Sequence, residues 1–85
     1  MKEFWDKRYS GNKYAYGTDP NALFKEFIDT LRPGRILMPG EGEGRNAVYA
    51  ASNGWDVLAF DYSSEARRKA LELAHKNDVS IEYHI

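Results

Sequence analysis

Cysteine is absent from this sequence of 85 residues, which excludes a disulfide scaffold and any metal site built on thiolates. Long apolar runs are absent as well, since no segment approaches the roughly 20 residues that a bilayer-spanning helix needs. The first residues, Met1 to Asp6, are charged and aromatic and contain no apolar stretch of the signal-peptide type. These absences predict a soluble, cytoplasmic protein.

A strong charge of either sign is also missing. Twelve lysines and arginines stand against thirteen aspartates and glutamates, for a formal net charge of −1. Such a balance creates no field suited to holding nucleic acid or an anionic membrane, so neither is expected as a partner. The residues that are present, 42% apolar and 14% aromatic, are typical of a folded chain. A chain of this length forms one small domain or part of a larger one.

The predicted elements alternate between strands and helices. A short helix and an irregular strip at 1–18 precede a helix that begins with Asp19 as N-cap and Pro20 at its first position. The later predicted elements are a strand at 35–38, a helix at 45–53, a strand at 57–60, a helix capped by Ser63 or Ser64, and a strand at 81–85. This alternation predicts an α/β fold, the N-terminal half of a Rossmann-like three-layer sandwich with parallel strands in the order 3-2-1.

A glycine-rich loop, Gly40-x-Gly42-x-Gly44, lies between the first predicted strand and the next helix. Glycine adopts positive φ and has no Cβ, so the backbone can turn sharply and a ligand can approach it closely. Asp61, at the end of the second strand, lies beside the same crevice, where its carboxylate can accept hydrogen bonds from ribose hydroxyls. The alternative is that the glycines only make a tight turn and that Asp61 only caps the next helix.

The spacing of these glycines separates two classes of cofactor. A dinucleotide site requires G-x-G-x-x-G, and Arg45 occupies the position of the third glycine. The G-x-G-x-G spacing is the form usual in methyltransferases. An NAD-linked oxidoreductase fragment is therefore kept only as an alternative.

Residues 35–63, RILMPGEGEGRNAVYAASNGWDVLAFDYS, resemble the first motif of class I S-adenosylmethionine-dependent methyltransferases and the segment that follows it. Within that class, EGEGRNA is similar to the branch of tellurite-resistance and thiopurine methyltransferases, and so is the opening stretch FWDKRYSGNKYAYGTDPN. The resemblance covers nearly the whole chain. It implies a methyltransferase with S-adenosylmethionine as cofactor, in which residues 1–34 form an N-terminal lid and helix and residues 35–85 a cofactor-binding βαβαβ half.

The resemblance also implies roles for individual residues. The three loop glycines are expected under the methionine part of the cofactor, Asp61 on its ribose, and Tyr62 against its adenine. Four residues match the family's N-terminal lid, and they are Trp5, Tyr9, Tyr16 and Gly17. For the three aromatic residues, packing on the surface is an equal alternative. Many relatives have an aspartate where this chain has Met38, so Glu41 or Glu43 becomes the candidate acceptor for the cofactor's ammonium group. No catalytic residue is predicted.

A complete enzyme of this class has about seven strands and roughly 200 residues, so the chain is expected to be its N-terminal half. The methyl acceptor, expected to be a small molecule, is not specified by these residues. In such a half, the strand at 35–38 has an open edge, and open edges tend to pair. The sequence therefore predicts a dimer with the strand order 3-2-1-1′-2′-3′. A truncated half-sheet that only assembles is the non-enzymatic alternative.

Overall fold

A computed structural model describes residues 2–9, 14 and 17–85, without the side chains of Trp5, Arg8 and Tyr9. Within these ranges the elements in chain order are α1 (Lys2–Tyr9), α2 (Ala22–Thr30), β1 (Arg35–Pro39), α3 (Arg45–Ser52), β2 (Asp56–Phe60), α4 (Ser64–Lys76) and β3 (Glu82–His84). No helix in this part of the chain combines the length and the apolar character needed to cross a membrane.

The strands of the described residues form one parallel sheet with β2 in the middle, β1 on one side and β3 on the other. Arg35 of β1 pairs with Asp56 of β2, and Tyr83 of β3 pairs with Ala59. The predicted α/β class and the order 3-2-1 are confirmed. Because the strands run in the same direction, the loops that follow β1 and β2 meet at one end of the sheet.

The two connecting helices, α3 and α4, pack on one face of this sheet. Four strand residues on that face are buried, and they are Met38, Val57, Ala59 and Tyr83. They pack against Ile28 and the alanines of α3 and α4. On the other face, Leu37 is 59% and Phe60 37% exposed. Right-handed crossovers that advance in one direction place their helices on the same side, so the second face of the sheet stays uncovered by the described residues.

The start of α2 differs from the prediction. Asn21 is its N-cap, since its Oδ1 accepts hydrogen bonds from the N–H groups of Leu23 at 3.0 Å and Phe24 at 3.1 Å. The prediction of Asp19 as cap and Pro20 as first helical residue was wrong, because the helix begins two residues later, where the asparagine side chain satisfies its free N–H groups.

The apolar stripe of α2 is buried only in part. Ile28 is 2% exposed, whereas Leu23 and Phe27 are 76% and 55% exposed. In α4, by contrast, the residues of one face are buried, among them Ala66, Ala70, Leu73 and Ala74. The difference arises because α4 packs along α3 and the sheet, whereas α2 lies at the margin of the sheet and contacts α3.

Gly44, the N-cap of α3, packs directly against Ala70 of α4. A Cβ built on Gly44 would lie 2.6 Å from Cβ and 2.9 Å from Cα of Ala70, and the residue has a φ of +89°. Both the missing volume and the left-handed backbone therefore require glycine at this position.

Replacing Gly44 by alanine is expected to lower the free energy of unfolding by about 2–4 kcal/mol, because the new methyl group overlaps Ala70 and the backbone is strained. Urea unfolding followed by circular dichroism measures the change. Gly34→Ala is the control, since a Cβ there meets no atom within 4 Å. Equal unfolding midpoints for the two variants would contradict this account.

Candidate functional site

A cavity of about 200 Å³ lies at the carboxyl end of β1. Its wall is formed by the glycine loop, by the start of α3 and by the N-terminal segment, through Gly17, Gly40, Glu41, Gly42, Glu43, Arg45 and Asn46. The described residues include no cluster of His, Asp and Glu side chains able to hold a metal ion. The cavity is bounded mainly by backbone and carboxylates.

The glycine loop has the backbone form expected of it, with positive φ at Gly40, Gly42 and Gly44. The two peptide groups of Gly42 form hydrogen bonds with residues at the ends of two strands. Its N–H donates a hydrogen bond of 2.7 Å to Oδ2 of Asp61, and its carbonyl accepts one of 2.5 Å from the hydroxyl of Tyr83. The ends of β2 and β3 therefore fix the middle of the loop, and a fixed loop loses little entropy when a ligand binds.

Behind the loop, Glu43 and Lys69 form a buried ion pair. Their side chains are 3% and 2% exposed, and Nζ of Lys69 lies 2.8 Å from Oε2 of Glu43. The ring of Tyr14 lies 5.4 Å from the same ammonium group, and its hydroxyl donates to the Lys69 carbonyl at 2.7 Å. The negative charge of Glu43 is therefore compensated by Lys69 inside the protein.

Glu41 has a different environment. Its Oε1 accepts a hydrogen bond of 2.7 Å from the N–H of Ala47 in the first turn of α3, so it caps a helix whose N-cap, Gly44, has no side chain. Burial raises the pKa of Glu41 to about 7, against the opposing effect of the N–H groups of Ala47 and Asn46 and of the Arg45 charge. A carboxylate that is partly ionised at neutral pH thus forms part of the cavity wall.

The N-terminal helix is attached beside this site. Ser63, one of the two predicted caps, is the N-cap of α4 and accepts a hydrogen bond from the N–H of Ala66. Its hydroxyl donates to Asp6 of α1 at 2.6 Å, and this hydrogen bond is the main reason that the pKa of Asp6 is lowered. The contact joins α1 to the start of α4, next to the strand ends.

Comparison with known proteins identifies the family of the chain. The profile of the thiopurine S-methyltransferase family matches residues 1–83 of the chain. The chain belongs to this family. Among curated proteins, Hemagglutinin 1 of Eikenella corrodens is 30% identical over 73 residues, which are 86% of this chain and 24% of that protein.

A solved structure shares the fold. It comes from work on the conversion of a disulfide bond into a thioacetal group during echinomycin biosynthesis, and it superimposes with a TM-score of 0.81 at 21% identity. The alignment covers 100% of this chain and 39% of the other. The chain therefore spans about two fifths of this structure and about a quarter of the curated relative. The described part of the chain has the Rossmann-like fold and belongs to a methyltransferase family.

The structure brings most of the predicted site residues of this methyltransferase family member to one place. Gly40, Glu41 and Gly42 line the cavity, Gly44 supports it, and Asp61 contacts the Gly42 N–H. Tyr62 lies next to Asp61 and is 69% exposed. Tyr16 and the side chain of Trp5 lie outside the described residues. A role in cofactor binding stays a prediction for the whole set.

Two residues that the sequence interpretation did not single out shape the site. Lys69 compensates Glu43, and Tyr83 holds the Gly42 carbonyl. A signal for Lys69 exists in the sequence: it lies three residues after Ala66 and four before Leu73, on the face of α4 that is buried. For Tyr83 there is no such signal, because its contact joins residues 41 positions apart.

Replacing Lys69 by methionine is expected to lower the free energy of unfolding by about 3–5 kcal/mol, because Glu43 is then left buried without a counter-charge. Urea unfolding measures the loss, and adding Glu43→Gln should restore part of it. The control is Arg68→Met, since Arg68 pairs with Glu65 and Glu72 on the exposed side of α4 and should change stability by less than about 1 kcal/mol. Equal losses in both variants would be evidence against the buried pair.

Proposed function

We propose that this chain forms the S-adenosylmethionine-binding part of a methyltransferase that acts on a small-molecule acceptor. The observation that carries the proposal is the cavity over the Gly40–Gly44 loop, together with the Asp61 carboxylate, which accepts a hydrogen bond of 2.7 Å from the N–H of Gly42 in the cavity wall. Membership of the thiopurine S-methyltransferase family supports the same reaction class. S-adenosylmethionine, when bound, supplies a methyl group activated by the positive sulfur.

Different residues are expected to bind different parts of the cofactor. The loop backbone at Gly40 and Gly42 offers a surface without side chains for the methionine part of the cofactor. Asp61 can accept hydrogen bonds from the ribose hydroxyls while its Oδ2 still accepts from Gly42, since a carboxylate has about four acceptor positions. Tyr62, exposed beside Asp61, is available to the adenine ring. Methyl transfer depends mainly on alignment of acceptor, methyl and sulfur, which a fixed loop promotes.

The charges at the loop favour this ligand over a dinucleotide. Dinucleotide sites offer free N–H groups of a helix N-terminus to a pyrophosphate. Here the carboxylate of Glu41 accepts from the first turn of α3, and that of Asp61 accepts from Gly42. A pyrophosphate would meet two carboxylates at the donors it requires, whereas a cofactor with positive sulfur and ammonium groups would not be repelled.

Calorimetric titration with S-adenosylmethionine, its demethylated product and NAD tests the proposal. Binding of the first two and not of NAD is expected, and Asp61→Asn should weaken both by about tenfold or more through loss of charge-assisted hydrogen bonds. Asp56→Asn is the matched control, because Asp56 lies at the opposite end of β2 with a side chain that is 73% exposed. A folded wild-type protein that binds neither methyl donor nor product would refute the proposal.

We also propose that two copies of the chain associate through β1. The strand has five residues with Leu37 at the centre, and Leu37 is 59% exposed beside an edge that no described strand covers. Antiparallel pairing about a two-fold axis would place Leu37 of one copy next to Leu37 of the other. The apolar residues of the uncovered face, including Phe60, would continue across both copies, and the sheet would gain the order 3-2-1-1′-2′-3′.

Sedimentation equilibrium of the purified chain tests this association, with a dimer mass expected in the micromolar to millimolar range. Leu37→Lys, which places two like charges at the axis, should shift the equilibrium to monomer. Leu23→Lys is the control, since Leu23 is 76% exposed on α2, away from the β1 edge. A wild-type monomer throughout, or a dimer unaffected by Leu37→Lys, would show that this edge does not pair two copies.

A further inference from the structure

Three acidic side chains surround the glycine loop, and the structure distinguishes them by what each one contacts. Glu43 also borders the cavity, but its carboxylate is already paired with the buried ammonium group of Lys69 at 2.8 Å. Asp61 follows the end of β2 and accepts hydrogen bonds from the N–H groups of Gly42 and Tyr62. Glu41 lies in the wall between the loop and α3. Glu41 and Glu43 are the two candidates in the loop for the acceptor of an ammonium group. Because Glu43 is already paired with Lys69, Glu41 is the candidate that remains.

We infer that Glu41 is the specificity-determining residue for the amino-acid end of the cofactor, and that its carboxylate receives the ligand's ammonium group. The inference rests on the proposed function. Met38, the neighbouring residue at the end of β1, is 7% exposed in the core and has no polar atom suited to a cation. Glu41 is three residues further along, where the chain has left β1 and reaches the cavity.

The electrostatics of Glu41 are those of a carboxylate without full compensation. Desolvation is the largest influence on it and raises its pKa to about 7. The groups that face it are the N–H donors of Asn46 and Ala47, the Arg45 charge from α3 and the opposing Asp61 charge from β2. The N-terminal segment contributes the uncharged Gly17, and Lys69 of α4 is paired with Glu43. A bound ammonium group would supply the missing positive charge and favour the ionised form.

Two consequences follow for ligand binding. The part of the protein population in which Glu41 is protonated must lose that proton when an ammonium group binds, so binding near pH 7 releases up to about half a proton. Affinity should also rise several-fold between about pH 6 and about pH 7.5, as the ionised fraction of Glu41 increases. A ligand without an ammonium group should show neither effect.

The variant Glu41→Gln isolates the charge. Its amide oxygen can still accept from the Ala47 N–H, so the cap of α3 is kept while the negative charge is removed. Glu26→Gln is the matched control, because it makes the same change of net charge at an exposed position of α2. Circular dichroism establishes that both variants are folded before any ligand is added.

The experiment is calorimetric titration of wild type, Glu41→Gln and Glu26→Gln with three ligands: S-adenosylmethionine, its demethylated product, and methylthioadenosine, which lacks the amino-acid end. Glu41→Gln should bind the first two about tenfold more weakly, which corresponds to about 1.4 kcal/mol, and methylthioadenosine as wild type does. Titrations in two buffers of different ionisation enthalpy should detect proton release in wild type and in Glu26→Gln, and none in Glu41→Gln.

A ligand-free measurement checks the titration of Glu41 itself. Its pKa of about 7 in the folded chain exceeds the ordinary 4.5, so the folded state holds more protons between these values. Stability should therefore fall as pH rises from about 5 to about 7 and level off above, and Glu41→Gln should remove that slope. A slope unchanged in the variant would show that Glu41 does not titrate there and would overturn the inference.

The outcomes separate the inference from the proposed function. If wild type binds none of the three ligands, the proposed function fails. If wild type binds S-adenosylmethionine and Glu41→Gln binds it equally well, only the role of Glu41 is refuted. An equal loss for methylthioadenosine would also refute it, because Glu41 would then act through the shape of the loop and not on the ammonium group.

Discussion

The contact between Gly44 and Ala70 is the constraint on which the other features of the site depend. Only 2.6 Å would separate a Cβ on Gly44 from that of Ala70, so α3 and α4 meet there as backbone against a methyl group. This approach brings Lys69, the neighbour of Ala70, within reach of Glu43 in the loop. With a side chain at Gly44 the helices would move apart, and the ion pair and the loop would separate with them.

The polar groups around the loop follow from that approach. Each of them stabilises a part of the loop that lacks regular backbone pairing: Asp61 and Tyr83 satisfy the Gly42 peptide groups, and Glu41 satisfies the first turn of α3. Buried polar groups without partners would cost about 1–3 kcal/mol each, so these satisfied hydrogen bonds stabilise the loop. A site of this kind is preformed before any ligand is present.

The two loop glutamates show how neighbouring residues of the same type acquire different properties. Glu43 forms an ion pair with the ammonium group of Lys69, whereas Glu41 is partly buried beside backbone donors and has a raised pKa. Their order in the sequence, two positions apart between glycines, does not distinguish them. The packing of α4 against the loop decides which of the two carboxylates is paired with a lysine inside the protein and which one is not.

The sequence by itself determined the element order, the parallel sheet, the position of the loop and the family, because glycine spacing, helix caps and the alternation of strand and helix are local patterns. It determined less well where α2 starts, since Asp19 and Asn21 are both good caps and the choice depends on local contacts. The tertiary structure alone decided the partners of Glu41, Glu43 and Gly42, because residues 26 to 41 positions apart in the chain make two of these contacts. It also decided that one face of the sheet is covered and the other is not, since that depends on the handedness and direction of successive crossovers.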